Sequence, residues 1–440
     1  MISIREEIAI STPPDVLWRS VAVRGLANRY RHPGIGAPLA AATEPIVVER
    51  GMQVAPRMKL PMTAVLRLDM PRRQLAQRQL HATVDLYDTH GGDATAIAGR
   101  TVPLEADETA VLACVLASPE IWERELKAFF SGVFSESTPT QLASIDAYRP
   151  GRIPIVFVHG TASSVGRWGD MVNDLLDDSG SSPTIPATRC SIRRRYCARR
   201  CATRCTSSTR RVPTPRCRRW SSGHSQGGLL AKALVVDTGD RVWDAIAYKP
   251  FDEIDLVPER RDLLRHAIFI KPLPYVRLVV FIATLHRASY LTEFPVTELL
   301  GRFLTLPVRI LQIGADLARN AGDFKVNPRN LGSGSLFGMT PNNPVLQTMA
   351  ATPIAPGVHA HSIIAVKGNG PVEGGNDGVV EYSSAHLEGV DSEYIVRSSH
   401  STQSNSYTIE EVRRILLLHA AEVCARIAFG CSRLARGCRR

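Results

Sequence analysis

Leu80, Ala82, Val84 and Leu86 alternate with His81, Thr83, Asp85 and Tyr87, the period of two expected of a strand with one face against a core. His90, Gly91, Gly92 and Asp93 supply turn chemistry directly afterwards, and residues 57–104 as a whole read as β-rich. From residue 109 to 132 the spacing changes: Val111, Val115, Trp122, Leu126 and Phe129 recur at helical intervals among charged residues. A stretch rich in Ser, Thr and Pro follows at 135–142, which places a domain boundary between 135 and 150. Residues 1–148 are therefore expected to form a small β-rich N-terminal domain, for which the residues suggest no role.

Beyond Gly151 short apolar runs alternate with helical spacing. Residues 153–158 form an apolar run that ends at His159 and Gly160, and Val165, Trp168, Met171, Val172, Leu175 and Leu176 then recur three and four residues apart. Residues 279–283, 361–366 and 394–396 are further short runs of buried-strand character. Strands separated by helices predict an α/β domain over 149–422, a mostly parallel sheet flanked by helices. A long insertion at 286–356 carries Phe303, Leu304, Leu306, Val308, Ile310, Leu311, Ile313 and Leu317 with few charges. These residues read either as a helical cap, or lid, over a site or as ordinary core helices.

Composition changes this picture in one respect. At 440 residues, 44% hydrophobic and 22% charged, the chain is globular in type and long enough for two compact units. No stretch approaches the roughly 18 apolar residues that span a bilayer. No export signal can be assembled in residues 1–30, so the expectation is a soluble chain, cytoplasmic by default and exported if the N-terminus is incomplete. The net charge of +11 would ordinarily point to an anionic partner. It is concentrated, however: twelve Arg and no Asp, Glu or Lys lie between 179 and 222, and five more Arg with no acid form a basic tail at 423–440. The remainder has 36 basic against 42 acidic residues, so no nucleic-acid partner is expected. Eight of the nine cysteines lie in the same two segments, and the cysteine count therefore says little about redox compartment.

The chemistry-bearing signal is Gly223-His224-Ser225-Gln226-Gly227-Gly228, a Gly-x-Ser-x-Gly run leading into an apolar helical stretch at 229–236. A serine exposed on a sharp strand-to-helix turn needs small neighbours, and the helix start stabilises negative charge developing beside it. A second amide donor is expected after the strand that ends Phe157-Val158-His159-Gly160-Thr161, so the amides of Thr161 and Gln226 are the candidate oxyanion hole. A serine hydroxyl also requires a histidine base and a carboxylate to orient it. His400 follows the run 394–396, and Asp377 lies in a glycine-rich loop after the run ending at Val366. Both occupy carboxyl ends of strands, where open α/β sheets put their sites. His359, His361 and His386 compete for the first role, and Glu373, Glu388 and Asp391 for the second; position and flanking glycines favour His400 and Asp377.

With these residues assembled, the region from Gly151 to about Ala420 resembles the bacterial triacylglycerol lipase branch of the α/β-hydrolase superfamily. The resemblance rests on residues 157–161, the run 223–228, Asn376-Asp377-Gly378-Val379-Val380, and His400. It implies an oxyanion loop, nucleophile, triad acid and triad histidine at those positions, a lipase- or esterase-like activity through an acyl-enzyme on Ser225, and no cofactor or metal. The partners it implies are a small-molecule ester or lipid substrate and transient contact with a lipid surface through the cap. Two departures stand out. The family's Thr-Pro-His-Arg-Gly type run reads Thr284-Leu285-His286-Arg287-Ala288 here, which is expected to loosen or reshape the loop beside the site. Across 179–222 the family pattern calls for a strand, a helix and a second apolar strand feeding the serine, yet this chain ends in Cys217-Arg218-Arg219-Trp220-Ser221-Ser222, a run expected to resist burial because it would strand two charges.

Three readings of 179–222 stand open. Its Arg, Cys, Ser, Pro and Ala content matches an out-of-frame translation of a GC-rich gene, as does the tail after about Glu422; Cys197, Cys201 and Cys205 recur every fourth residue, as metal ligands would; and the arginines suit a disordered nucleic-acid-binding insertion. Resequencing the locus tests the first, and intact junctions with no compensating indels exclude it. The function readings that compete with a hydrolase are an acyltransferase with the same triad, a catalytically impaired remnant lacking its central strand, and a basic binding protein. Product analysis, fluorophosphonate labelling and salt-dependent nucleic-acid binding discriminate among them.

Overall fold

The computed structural model describes residues 26, 28–42, 47–48, 52–53, 59–68, 70–77, 82–89, 94–97, 99–116, 153–160, 163–175, 219–287, 316–319, 321–326 and 343–437. They fall into two units: the first takes the described residues up to Leu116 with 172–175, the second 153–171 and those from Arg219 onward.

In the first unit Lys59–Leu68 is the middle strand of three, antiparallel to Ala37–Ala42 on one side and to Ala82–Asp88 on the other. The alternating run around residue 84 does form a strand, but its side chains from Thr83 to Tyr87 are all half-buried. An edge strand paired on one side leaves both faces partly open to water, so the alternation in sequence does not become an alternation in burial. A hairpin of Ala94–Ile97 and Arg100–Pro103 turns at Gly99, whose φ of 75° suits glycine. Asp107 opens the helix Glu108–Leu116: one carboxylate oxygen accepts the Ala110 amide at 3.0 Å, and the other takes two bonds from the Arg29 guanidinium at 2.9 and 2.7 Å. That helix buries Val111, Leu112, Ala113 and Leu116. The helical stretch expected beyond 116 lies outside the described residues.

The second unit is built on a sheet of five strands, β1 (Ile155–Val158), β2 (Arg219–His224), β3 (Val276–Ile282), β4 (His359–Ala365) and β5 (Ser392–Val396), all parallel and adjacent in chain order. Helices α1 (Gly169–Leu175), α2 (Gln226–Ala233), α3 (Arg241–Ile246), α4 (Pro258–Ile268), α5 (Pro344–Ala351) and α6 (Ser406–Gly437) come between and after the strands. β3 reads Val-Arg-Leu-Val-Val-Phe-Ile, and Leu278, Val279, Phe281 and Ile282 are wholly withdrawn from solvent. A central parallel strand is covered on both faces, which is why its sequence from Leu278 to Ile282 is a continuous apolar run. Ala231 and Val235 of the α2 region close one core with Val279, Phe281 and Ala360. A second core gathers Val242, Trp243 and Ile246 of α3 around Phe251, Leu317 and Phe324. Leu317 is the one described residue among the eight apolar positions noted in the 286–356 insertion, and it lies in this core.

The chain before the serine departs from expectation. Residues 179–218 lie outside the described residues, and with them the first strand and the helix of the family pattern. The second strand is present: β2 runs from Arg219 and hydrogen-bonds between β1 and β3, with Trp220, Ser221 and Ser222 buried. Burial is feasible because the strand begins at its charged end. Arg219 pairs with Val276, the first residue of β3, and a register shift separates it from Trp220, so the sheet interior receives one large apolar side chain and two small hydroxyls. The strand that leads into the serine is thus present among the described residues. At the other end α6 continues without a break through residue 422, where the basic tail is expected to start. Among the described residues no helix is long and apolar enough to cross a membrane.

Phe281 is fully buried between layers and meets the His286 ring edge-on at 4.9 Å. Phe281→Ala should lower the unfolding free energy by about 3–5 kcal/mol, the loss expected for a large aromatic removed from a close-packed core. A urea midpoint unchanged from that of the parent would contradict this packing.

Candidate active site

The site starts from a turn the backbone resists. Ser225, between β2 and α2, has φ 56° and ψ −127°, a conformation that costs a residue with a side chain about 1–3 kcal/mol and persists only where neighbours enforce it. The neighbours are at hand. The Ser225 amide donates to the Ile282 carbonyl at the end of β3 at 2.9 Å, and the Gly228 amide donates back to the Ser225 carbonyl at 3.0 Å. Gly160, after β1, lies so close that an added methyl carbon would stand 2.9 Å from the Ser225 Cβ. A methyl at Gly227 would stand 2.7 Å from the His159 carbonyl oxygen, and one at Gly228 would overlap the Thr284 side chain. The glycines of the motif therefore serve close approach among β1, β2 and the residues after β3. Ala283, beside this turn at the end of β3, also has a positive φ, of 45°.

The loops after β4 and β5 bring the partners. Asp377 is 1% exposed. One of its oxygens accepts the amides of Val379 and Val380 at 2.8 and 2.7 Å, and the other accepts from His400 Nδ1–H at 2.7 Å. With Nδ1 carrying the proton, His400 Nε2 presents a lone pair that accepts from the Ser225 hydroxyl at 2.9 Å. Ser225, His400 and Asp377 thus form one hydrogen-bonded line, from three separate strand ends, and the buried carboxylate is fully partnered, as a buried charge must be. Gln226 begins α2, so its amide is at the helix start beside the serine. Thr161 lies outside the described residues.

The competing residues sit elsewhere. His359 pairs with Asp391 at the opposite end of β4, His361 is buried against His419, and His386 pairs with Glu393. Glu373 and Glu388 are exposed. The loop lacking the family's Pro and Gly is tied down across 284–287. The His286 amide donates to the Ser384 carbonyl at 3.0 Å, the Arg287 amide to the Ser384 hydroxyl at 3.2 Å, and the Arg287 guanidinium to the Ser383 carbonyl at 3.0 Å and to that of His386. Polar contacts with residues 383–386 hold it in place of backbone stiffness.

Sequence reasoning assigned no task to His224, the residue before the serine. Its side chain is buried, and Nε2–H donates to the His400 carbonyl at 2.8 Å, with the two rings 4.9 Å apart. Because the His400 amide donates to the Asp377 carbonyl at 3.0 Å, the peptide groups on both sides of His400 are anchored. The sequence offered no signal for it, because the Gly-x-Ser-x-Gly pattern leaves that position open. Burial, reinforced by the neighbouring His400, lowers the His224 pKa from 6.5 to about 4.

In the unfolded chain His224 takes up its proton near the ordinary 6.5, and in the folded chain only near 4. Between those values the unfolded state binds more protons, so acid favours unfolding, by up to about 3 kcal/mol for this group. Unfolding free energy should fall as pH drops from 6.5 to 4, and should fall less steeply in His224→Gln. Urea midpoints for both proteins across that range check this, and equal slopes would count against a neutral buried imidazole.

No protein-family model matches the chain, and no curated protein matches it. Among solved structures, the mature form of the lipase BlEst2 from Bacillus licheniformis is similar over 61% of this chain and 93% of its own, at 15% identity and a TM-score of 0.31. The metagenomic carboxyl esterase MGS0156 is similar over 72% of this chain and 91% of its own, at 13% identity and a TM-score of 0.28. The Vlm2 thioesterase domain is similar over 62% and 94% respectively, at 14% identity and a TM-score of 0.22. The five-stranded parallel sheet flanked by helices, with a sharp serine turn after its second strand, fits an α/β-hydrolase fold.

Proposed function

We propose that the protein is a serine hydrolase cleaving carboxylic esters, lipase- or esterase-like, through an acyl-enzyme on Ser225. The observation that carries this reading is the unbroken line from the Ser225 hydroxyl to His400 Nε2 and from His400 Nδ1 to Asp377, at 2.9 and 2.7 Å. His400 takes the Ser225 proton as the oxygen attacks the ester carbonyl, and then gives it to the departing alcohol. Water enters by the reverse sequence and releases the acid. Asp377 holds the imidazole in the tautomer that accepts at Nε2 and stabilises the imidazolium formed in each step. The Gln226 amide, at the start of α2, faces developing negative charge with the favourable end of the helix dipole. The Thr161 amide is the proposed second donor, supported by the approach of Gly160 to Ser225.

A series of p-nitrophenyl esters tests the reading. Ser225→Ala should reduce turnover by roughly four to six orders of magnitude, and Asp377→Asn by about four, because an amide leaves His400 in the wrong tautomer. A fluorophosphonate should label Ser225 in the parent and nothing in Ser225→Ala. Unchanged turnover in Ser225→Ala would overturn the proposal. Product analysis with an added alcohol separates hydrolysis from acyl transfer.

A further inference from the structure

At the amino end of β4, remote from the serine, three side chains converge, with the His359 and His419 rings 4.3 Å apart between centroids. His359 begins the strand, and His419 and Glu422 stand one turn apart on α6. Glu422 Oε2 is 3.3 Å from His419 Nδ1 and 3.5 Å from His359 Nε2, and the three potential ligand atoms all lie within 4.8 Å of one another. The two separations from Glu422 are close to the roughly 3.3 Å between ligand atoms on a tetrahedral ion with bonds of about 2.0–2.1 Å.

Hydrogen bonds surround the three. His359 Nδ1–H donates to Asp391 Oδ2 at 2.8 Å, and that carboxylate oxygen also accepts the Ala360 amide at 3.3 Å. His359 Nε2 faces the carboxylate of Glu422 at 3.5 Å, and a cation seated there would be reached by both. On the other side His419 Nε2 is 2.8 Å from His361 Nε2, and His361 Nδ1 is 2.7 Å from the Ser392 hydroxyl. With His419 Nδ1 turned toward an ion, Nε2–H donates to His361, which passes its own Nδ1–H to Ser392. Each inner imidazole thus has its far nitrogen oriented by an outer partner, the arrangement that fixes metal-binding histidines. Glu422 and Asp391 together carry the two negative charges that balance a dication. Nearby Arg414 is engaged by both carboxylate oxygens of Glu411 at 2.7 and 2.6 Å.

We propose that His359 Nε2, His419 Nδ1 and Glu422 bind a divalent ion of the zinc class, with solvent at the open position. Asp391 and His361 are the orienting partners. Two imidazoles and one carboxylate suit Zn²⁺ or Co²⁺ better than the all-oxygen sets of Ca²⁺ or Mg²⁺. Such an ion fastens α6 to β4 and has no part in the acyl chemistry. The test is isothermal titration of the full chain, free of any histidine tag and stripped with a chelator, with ZnCl₂, together with the visible spectrum on adding Co²⁺. The expected result is one tight ion per chain, the intense absorption of tetrahedral Co²⁺, and a raised thermal midpoint with Zn²⁺. Glu422→Gln and His359→Gln, both at partly exposed positions, should each abolish tight binding, and Asp391→Asn should weaken it about 10–100-fold. A folded parent that takes up no zinc at micromolar concentration, or uptake unaltered in both ligand variants, overturns the proposal.

Discussion

A residue with a side chain held at positive φ is the constraint around which the second unit is organised. Ser225 cannot keep that conformation on its own. It is enforced by the hydrogen bond from its amide to the last residue of β3, by Gly160 pressing from β1, and by Thr284 filling the space over Gly228. Three consecutive strands must therefore be in register at their carboxyl ends before the hydroxyl projects where it does. The continuous apolar sequence of β3 supplies that register, since a fully buried strand has little freedom to slide without exposing Val279 or Phe281.

The same economy of contacts governs the imidazole. Its ring is placed by Asp377, whose charge is buried but satisfied by two backbone amides, and its peptide groups are placed by Asp377 and His224. His224 immediately precedes the serine, so the turn that projects the Ser225 hydroxyl also carries the side chain that anchors His400. Keeping His224 neutral is part of this arrangement: a positive imidazole 4.9 Å from His400 would oppose the charge that His400 takes up in the proposed reaction.

The two ends of β4 illustrate how one strand serves different chemistry. Beyond its carboxyl end the chain makes the glycine-bounded turn that carries Asp377, whereas its first residue, His359, turns toward α6. The buried stretch between them contributes Ala360 and Ile364 to the cores. Polar groups are confined to the strand ends and to positions such as His361 where a hydrogen-bonding partner is guaranteed.

How much could be read beforehand follows from which interactions are local. The strands of the parallel sheet, the serine turn with its glycines, and the residue types at 377 and 400 were legible in the amino-acid order, because burial on both faces and close backbone approach each leave a contiguous trace. β2 was misjudged: the arginines at 218 and 219 weighed against a buried strand, and only the register shown by pairing with β3 makes Arg219 the first residue of the ladder with Trp220 buried after it. The choice of His400 over three other histidines, the anchoring by His224, and the convergence of His359 with His419 and Glu422 depend on distances across 60 to 180 residues of chain, set by strand register and helix phase. Sequence alone determined the alternation of strands and helices and the chemistry available at the strand ends. Tertiary structure decided which of those groups come within 3 Å of one another, because hydrogen bonding is a condition on positions in space that residue order does not contain.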